Sequence, residues 1–419
     1  MSPTADVEVA VVGAGAAGLA TAIFIRQLNA GVRVALIDSA RTPGAKILVS
    51  GGSRCNVTNT VVSETDFNGG RSAMIRKVLR ALPVPDTVGF FKAIGVALHE
   101  EPGGKLFPDS NRARTVLDAL LSEGRRVGVE FMFGRRVGGI SQGGTGFRIV
   151  AGEGDVIARR VVLATGGLSL PKTGSDGAGY GFATSLGHTI VPTTPALVPL
   201  VLDAAVDDAH RQLSGVAQPV RLDVRVTGSI AARIAGSLLW THFGVSGPAA
   251  LDASRHWLRA RLENRSVSMN VSLAPADRFE SLERTWIDLA RTQQRTSAQS
   301  VLARMVPASV AAAIVERAGV PATETLATLT RDARRALLHR LLEWPLPILG
   351  SRGYNYAEAT AGGVALEEID PSTMASRVCP GLFLVGEVLD VDGRIGGFNF
   401  QWAWSSARAA ATALARAKL

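Results

Sequence analysis

Two cysteines, Cys55 and Cys379, are all that this 419-residue chain contains. Two thiols build neither a disulfide framework nor a cysteine-rich metal site, and they suit a reducing cytoplasm. The six histidines are scattered, with none at metal-ligand spacing, so no metal is expected. Aromatic residues make up only 5% of the chain, which leaves little for base stacking. Lysine is also scarce, and no five cations stand in a row; the net charge of +9 is therefore arginine spread through the chain rather than a basic tail. Long apolar runs are lacking as well. Val9–Ile25 comes nearest to membrane-spanning length, but Gly13, Gly15 and Gly18 interrupt it, and Glu8 and Arg26 bound it. The N-terminal stretch has no basic region of the kind that opens a secretory signal. A small-molecule substrate is expected, with neither nucleic acid nor a membrane as partner, and the oligomeric state is open.

What the chain does have is glycine, 45 residues of it, and two glycine-rich segments near opposite ends. Val7–Val12 reads as a buried strand, Ala16–Leu28 as a helix and Val32–Ile37 as a second strand ending in Asp38. Between the first two lies Gly13-Ala14-Gly15-Ala16-Ala17-Gly18. In such a turn the first glycine permits the sharp bend, the second lets backbone amides approach a pyrophosphate, and the third lets helix and strand pack closely. The helix end adds unpaired N–H groups and the positive end of its dipole. In a glycine-rich chain the pattern alone has little weight. Its place between strand and helix, with an acid twenty residues on to accept from an adenosine ribose, gives it weight.

The second segment is Gly386–Ala407, GEVLDVDGRIGGFNFQWAWSSA. Phe383–Glu387 reads as a strand ending in an acid suited to ribityl hydroxyls. Gly396-Gly397-Phe398-Asn399-Phe400 then opens a helix whose amides suit the pyrimidine edge of a flavin. A nicotinamide enzyme needs nothing so far from its fingerprint, whereas FAD extends across the sheet. The two ends together point to FAD.

Between them the character changes. Strand-like runs at Val220–Val226, Ile230–Trp240 and Val267–Leu273 follow a proline-rich junction at Pro192–Pro199, and Asp277–Glu343 is helical with breaks at Pro307 and Pro321. The fold class is α/β: a discontinuous Rossmann-like FAD-binding domain at 1–192 and 348–419, an inserted β-barrel-like substrate domain at 193–273 and 331–347, and a helical insert at 274–330.

Long segments carry a resemblance to a known family: Lys46–Asn59 (KILVSGGSRCNVTN), Ala164–His188, Thr241–Leu251 (THFGVSGPAAL) and Thr360–Ala407. On these the chain resembles, over essentially its whole length, the BaiN/YhiN-like bacterial flavoproteins. The resemblance implies FAD and oxidoreduction. It leaves the reaction open, since members are similar to a bile-acid-pathway reductase and to an oxidase of a small amino ketone. Ser53 stands where the loop usually carries a third glycine.

The expected cofactor set is Gly13, Ala14, Gly15, Ala16, Ala17, Gly18, Asp38, Ser39, Lys46, Gly51, Arg54, Cys55, Asn56, Val137, Ala164, Thr165, Gly166, Gly386, Glu387, Gly396, Gly397, Phe398, Asn399 and Phe400. Arg54 could neutralise phosphate, polarise a substrate or serve a structural ion pair. Cys55, without a CxxC partner, reads as a packed residue rather than a redox thiol. Thr241 and His242, between a strand and a Gly/Ser-rich loop, are the candidates for acid–base work beside Arg54. The expected activity is hydride transfer between a small organic substrate and flavin, with NAD(P)H docking transiently as reductant. An oxidase using O2 on a small amine or amino ketone is the alternative. A flavin-bearing RNA- or protein-binding factor is the alternative of another class, prompted by the positive charge.

Overall fold

The β-branched N-terminal run forms the strand Ala5–Val12, with parallel neighbours on both sides. One is Val34–Asp38, continued by Glu130–Phe133; the other is Asp155–Leu163, which also pairs in parallel with Leu382–Leu384. The hairpin Val137–Gly143 and Gly146–Ala151 extends that side antiparallel. A parallel sheet is covered on both faces, which is why Val9–Val12, Val34–Ile37 and Val161–Leu163 are apolar throughout rather than alternating. Seven strands thus make the sheet that the strand–helix–strand reading anticipated.

The structure is a computed structural model that describes residues 5–144, 146–152 and 154–416. It divides into two units, Met1–Pro195 with Ala357–Leu419, and Ala196–Tyr356. In the first unit the helix Ala16–Leu28 lies along the C-terminal helix Phe398–Arg416. Residues 17–25 of the former are all buried, Thr21 included, whose hydroxyl donates to the Ala17 carbonyl. A helix apolar all round is one covered on every side, here by sheet and by helix.

The second unit is built on an antiparallel seven-stranded sheet. In spatial order its strands are Trp344–Pro345, Val267–Ser272, Ala217–Val226, Ser229–Thr241, Gly244–Ser246, Leu200–Leu202 and Ile348–Ser351. The helices Phe279–Thr292, Ala298–Leu302, Ala308–Arg317 and Arg331–Leu342 share one hydrophobic core with it, around Trp240, Trp286 and Trp344. Residues 274–330, read above as a separate insert, are thus part of that core. Ile348–Ser351, assigned above to the cofactor domain, pairs with Leu200–Leu202 inside this unit. The 16-residue helix Gly247–Leu262 escaped the sequence reading because it opens on Gly-Pro within a loop-like run. Proline is well suited to the first turn of a helix, where its missing N–H has no partner to lose.

Candidate functional site

At the fingerprint, three glycines differ in what surrounds them. A Cβ at Gly18 would lie 1.8 Å from the Gly13 carbonyl oxygen, and one at Gly13 would lie 2.5 Å from that of Ala164. Those two are required by protein packing. At Gly15 a Cβ would meet no atom within 4 Å. The open flank of Gly15 borders the N-terminus of Ala16–Leu28, where the first helical amides have no partner within the helix. Open space beside unpaired amides has the polarity that suits a pyrophosphate. Asp38 fixes the turn from the next strand: its carboxylate accepts from the Ala14 amide at 2.6 Å and the Ala40 amide at 2.7 Å. Each oxygen retains a lone pair for a ribose hydroxyl. Ser39 beside it is exposed, and Val137 is buried at the start of its strand.

Ala164, Thr165 and Gly166 close the central strand, with the Ala164 amide donating to Val12. The Thr165 hydroxyl is buried without a hydrogen-bond partner. Gly166 has a φ of 72°, and a Cβ there would face Ser175 and Glu387. The strand leading to Glu387 stops at Leu384, so the acid sits in a short 3-10 turn, Gly386–Val388, rather than at the strand end expected for it. Its carboxylate is a hub. Lys46 Nζ donates to one oxygen at 2.5 Å; Ser169 Oγ and the Thr360 amide donate to the other, each at 2.8 Å. Thr360 in turn accepts from the Leu168 and Ser169 amides.

The C-terminal helix is anchored to the loop 55–59 by bonds that its sequence does not advertise. Trp404 Nε1 donates to the Val57 carbonyl, Asn59 Nδ2 to that of Gly396, and the Thr58 hydroxyl to Gln401 Oε1. Trp402 Nε1 donates to the Gly386 carbonyl at 3.1 Å, tying the helix to the Glu387 turn. Gly396 and Gly397 have φ of 128° and 94°, and a Cβ at Gly397 would lie 2.5 Å from the Thr58 carbonyl oxygen. That close approach leaves the amides of Phe398, Asn399 and Phe400 at the helix start. The Asn399 side chain bridges the Gly393 amide and carbonyl, holding the turn before it. Asn56 Oδ1, beside Gly397, is buried and unpartnered, an acceptor that a bound group could satisfy.

In the loop Gly51–Cys55, Gly51, Gly52, Ser53 and Cys55 all take left-handed backbone. Ser53 does so at φ 66°, the conformation a glycine would take without strain, so the usual glycine there has a physical reason. Arg54 is held in a two-pronged pair with Glu101 (2.5 and 3.2 Å) and lies 4.1 Å over the Phe107 ring. Of the roles weighed for it, this geometry is the structural ion pair. The Arg54 hydrogen bonds hold the Glu101 carboxyl below its usual range. Cys55 is fully buried, and burial pushes its thiol up to about 12, so it carries no thiolate at neutral pH.

Three residues near this hub stand outside the expected cofactor set. Ser169 is marked only by its bonds to Glu387, whereas Thr360 falls in the segment Tyr354–Gly363 (YNYAEATAGG), which the sequence also offers for substrate chemistry. The third is Glu358, two residues before Thr360. Its side chain reaches solvent, yet desolvation by the surrounding protein pushes its carboxyl up, against the pull of Lys46 and Lys105. A carboxyl that stays protonated to higher pH is a proton donor in waiting. In the second unit, His242 is exposed and stands edge-on to Phe243 with ring centroids 5.1 Å apart. The Thr241 hydroxyl is buried without a partner. Among the described residues, no group of three His, Cys, Asp or Glu could hold a metal ion, and no helix is long and apolar enough to cross a membrane.

Residues 7–413 match the family described as HI0933-like protein Rossmann domain. The ribosomal RNA dihydrouridine synthase of Escherichia coli (strain K12) is 35% identical over 408 residues, 97% of this chain and 98% of its own length. A 3-dehydro-bile acid delta(4,6)-reductase of Clostridium scindens is 31% identical over 412 residues, 97% of this chain and 99% of its own. The ribosomal RNA dihydrouridine synthase of Haemophilus influenzae is 31% identical, covering 97% of this chain and 98% of its own. Among solved structures, an Escherichia coli quinol fumarate reductase FrdA variant aligns with 98% of this chain and 70% of its own at a TM-score of 0.52. At 18% identity, that is a likeness of fold.

Proposed function

The chain belongs to the HI0933-like Rossmann family and is an FAD-dependent oxidoreductase, and from that premise we propose that it is a reductase saturating the C5=C6 bond of a uridine in ribosomal RNA. One observation carries the reading: 35% identity, end to end, with a protein named for that reaction. The Clostridium scindens relative supports the same bond chemistry. A delta(4,6)-reductase and a dihydrouridine synthase both saturate a ring C=C bond conjugated to a carbonyl, and such a bond takes hydride on one carbon and a proton on the other. Both named reactions are reductions, which argues for reductase over oxidase.

When bound and reduced by NAD(P)H, FAD would supply the hydride. The protein's share is to bind, orient and move a proton. Gly13–Gly18 and the adjoining helix end would hold the pyrophosphate, Asp38 the ribose, and the amides at Phe398–Phe400 the pyrimidine edge of the flavin. Lys46, paired with Glu387, would bring an N–H donor to the same site. Glu358 is the proposed proton donor, with His242 and Thr241 the candidates from the second unit. NAD(P)H is the proposed reductant that resets the cycle.

This reading reverses the expectation that nucleic acid is not a partner. That expectation came from the lack of cation blocks and aromatic runs, features of proteins that follow a long strand. Presenting one base needs only a few contacts from separate elements. Ribosomal RNA from a strain lacking the gene, incubated with the holoenzyme and NADPH or NADH, should gain dihydrouridine, read by nucleoside mass spectrometry as a gain of two hydrogens. A small conjugated ketone as substrate is the second reading, favoured by the bile-acid reductase relative. RNA left unchanged while a steroid dienone is reduced would establish that one and sink the first.

A further inference from the structure

Tyr356 is one of only three tyrosines in the chain, and it is 49% exposed. The Arg352 guanidinium carbon lies 3.5 Å from the centre of that ring and 4.7 Å from the centre of the Phe243 ring. All three belong to the second unit, and the backbone beneath them is pinned. The Arg352 amide donates to the Pro199 carbonyl, the Gly353 amide to Ser351 Oγ and the Tyr356 amide to the Gly353 carbonyl. Phe243 is fixed on its other flank, its carbonyl accepting from the Leu202 amide.

Among the described residues, no carboxylate lies within ion-pair distance of Arg352. A guanidinium stacked over rings uses its faces and keeps its N–H donors in its own plane. The cluster therefore offers a flat aromatic surface held in place by a cation, and in-plane donors beside it. Stacking surface plus planar donors is what a nucleotide requires: a base to stack and a phosphate to bind. The surroundings agree in sign. Throughout residues 196–356 arginine is the only cation besides histidine, and it outnumbers Asp and Glu.

We propose that Tyr356, backed by Arg352 and Phe243, is a stacking platform for one unpaired nucleobase of an RNA substrate, with Arg352 donating to the adjoining phosphate. The inference rests on the RNA reading above and adds to it the place where the strand is held. Stacking by itself is tolerant of sequence, so the platform sets affinity for single-stranded RNA rather than the choice of uridine.

The test uses full-length holoenzyme and a fluorescein-labelled single-stranded oligouridylate of roughly 12 nucleotides at low salt. Tyr356→Ala should weaken binding about ten-fold while Tyr356→Phe stays near wild type, and Arg352→Gln should weaken binding and lower its salt dependence. Tyr356→Trp places an exposed indole on the platform, and its fluorescence should be quenched when the oligonucleotide binds. That variant keeps the test decisive should the alanine variant fold poorly. Wild-type binding that is unchanged in Tyr356→Ala, with no quenching in Tyr356→Trp, overturns the platform and leaves the RNA reading standing. A wild-type holoenzyme that neither binds the oligonucleotide nor modifies ribosomal RNA overturns both.

Discussion

Lys46 and Glu387 stand 341 positions apart in the chain and meet with Nζ and Oε2 2.5 Å apart. One comes from the helix that follows the second strand, the other from the turn before the C-terminal helix. Both side chains are only about a quarter exposed or less, at 26% and 19%. Such a pair is costly to break on one side, because the remaining charge keeps its burial and loses its partner.

Glu387→Gln should therefore destabilise the apo-protein by about 1–3 kcal/mol and weaken FAD binding. Adding Lys46→Met should recover part of the stability, since no unpaired charge is left. Denaturant titration and a flavin fluorescence titration read the two effects. A single variant with an unchanged midpoint would mean the pair contributes nothing.

Gly15 and Gly18 should separate cofactor space from protein packing. Gly18→Ala drives a methyl into the Gly13 carbonyl and should cost about 3 kcal/mol or more. Gly15→Ala meets open space, at a φ of −78° that alanine accepts. Its melting temperature without cofactor should be unchanged or slightly raised, while FAD affinity falls about ten-fold or more. Wild-type affinity in Gly15→Ala would mean the pyrophosphate lies elsewhere.

His256 gives the stability a pH dependence. Burial, aided by the Arg255 charge, lowers its pKa from 6.5 to about 4. In the native state it stays neutral where the unfolded chain takes up a proton, so stability rises with pH across that window. Seen from neutral pH, stability is full above about 6.5, falls as pH drops and levels off near 4; the loss is on the order of 2–3 kcal/mol. His256→Gln should flatten that part of the profile in denaturation measured from pH 4 to 8. A slope as steep as wild type would assign the effect to other groups.

Glu358→Gln removes the proposed proton donor without touching the fingerprint. Turnover should drop by about 10²–10³ with FAD affinity unchanged. A donor must be protonated, so wild-type kcat should decline as pH rises through the raised pKa of Glu358, and the variant should lose that alkaline limb. A variant with normal kcat and the same pH profile would move the role to His242, where His242→Asn is the next comparison.

Some of this was legible in the sequence because its causes are local. The Gly13–Gly18 turn, the strand read at Val7–Val12 and the helix Ala16–Leu28 follow from glycine placement and a β-branched run. Ser53 was singled out as a departure from glycine, and its left-handed φ of 66° gives that departure its reason. The helix Gly247–Leu262 was lost because a Gly-Pro start reads like a loop until its apolar residues find a sheet to bury against. For Arg54 the sequence left phosphate, substrate and ion-pair roles open, because nothing in its neighbourhood announces Glu101, 47 residues on.

The sequence by itself determined the cofactor class, since glycine spacing and an acid after a strand are short-range constraints that FAD imposes on backbone. Tertiary structure alone decided which charges are spent and which remain. Glu387 is matched by Lys46 and Arg54 by Glu101, while Glu358 keeps a raised pKa and Arg352 keeps its donors beside Tyr356. Those outcomes depend on burial and on partners tens to hundreds of positions away, and neither quantity exists until the chain has folded.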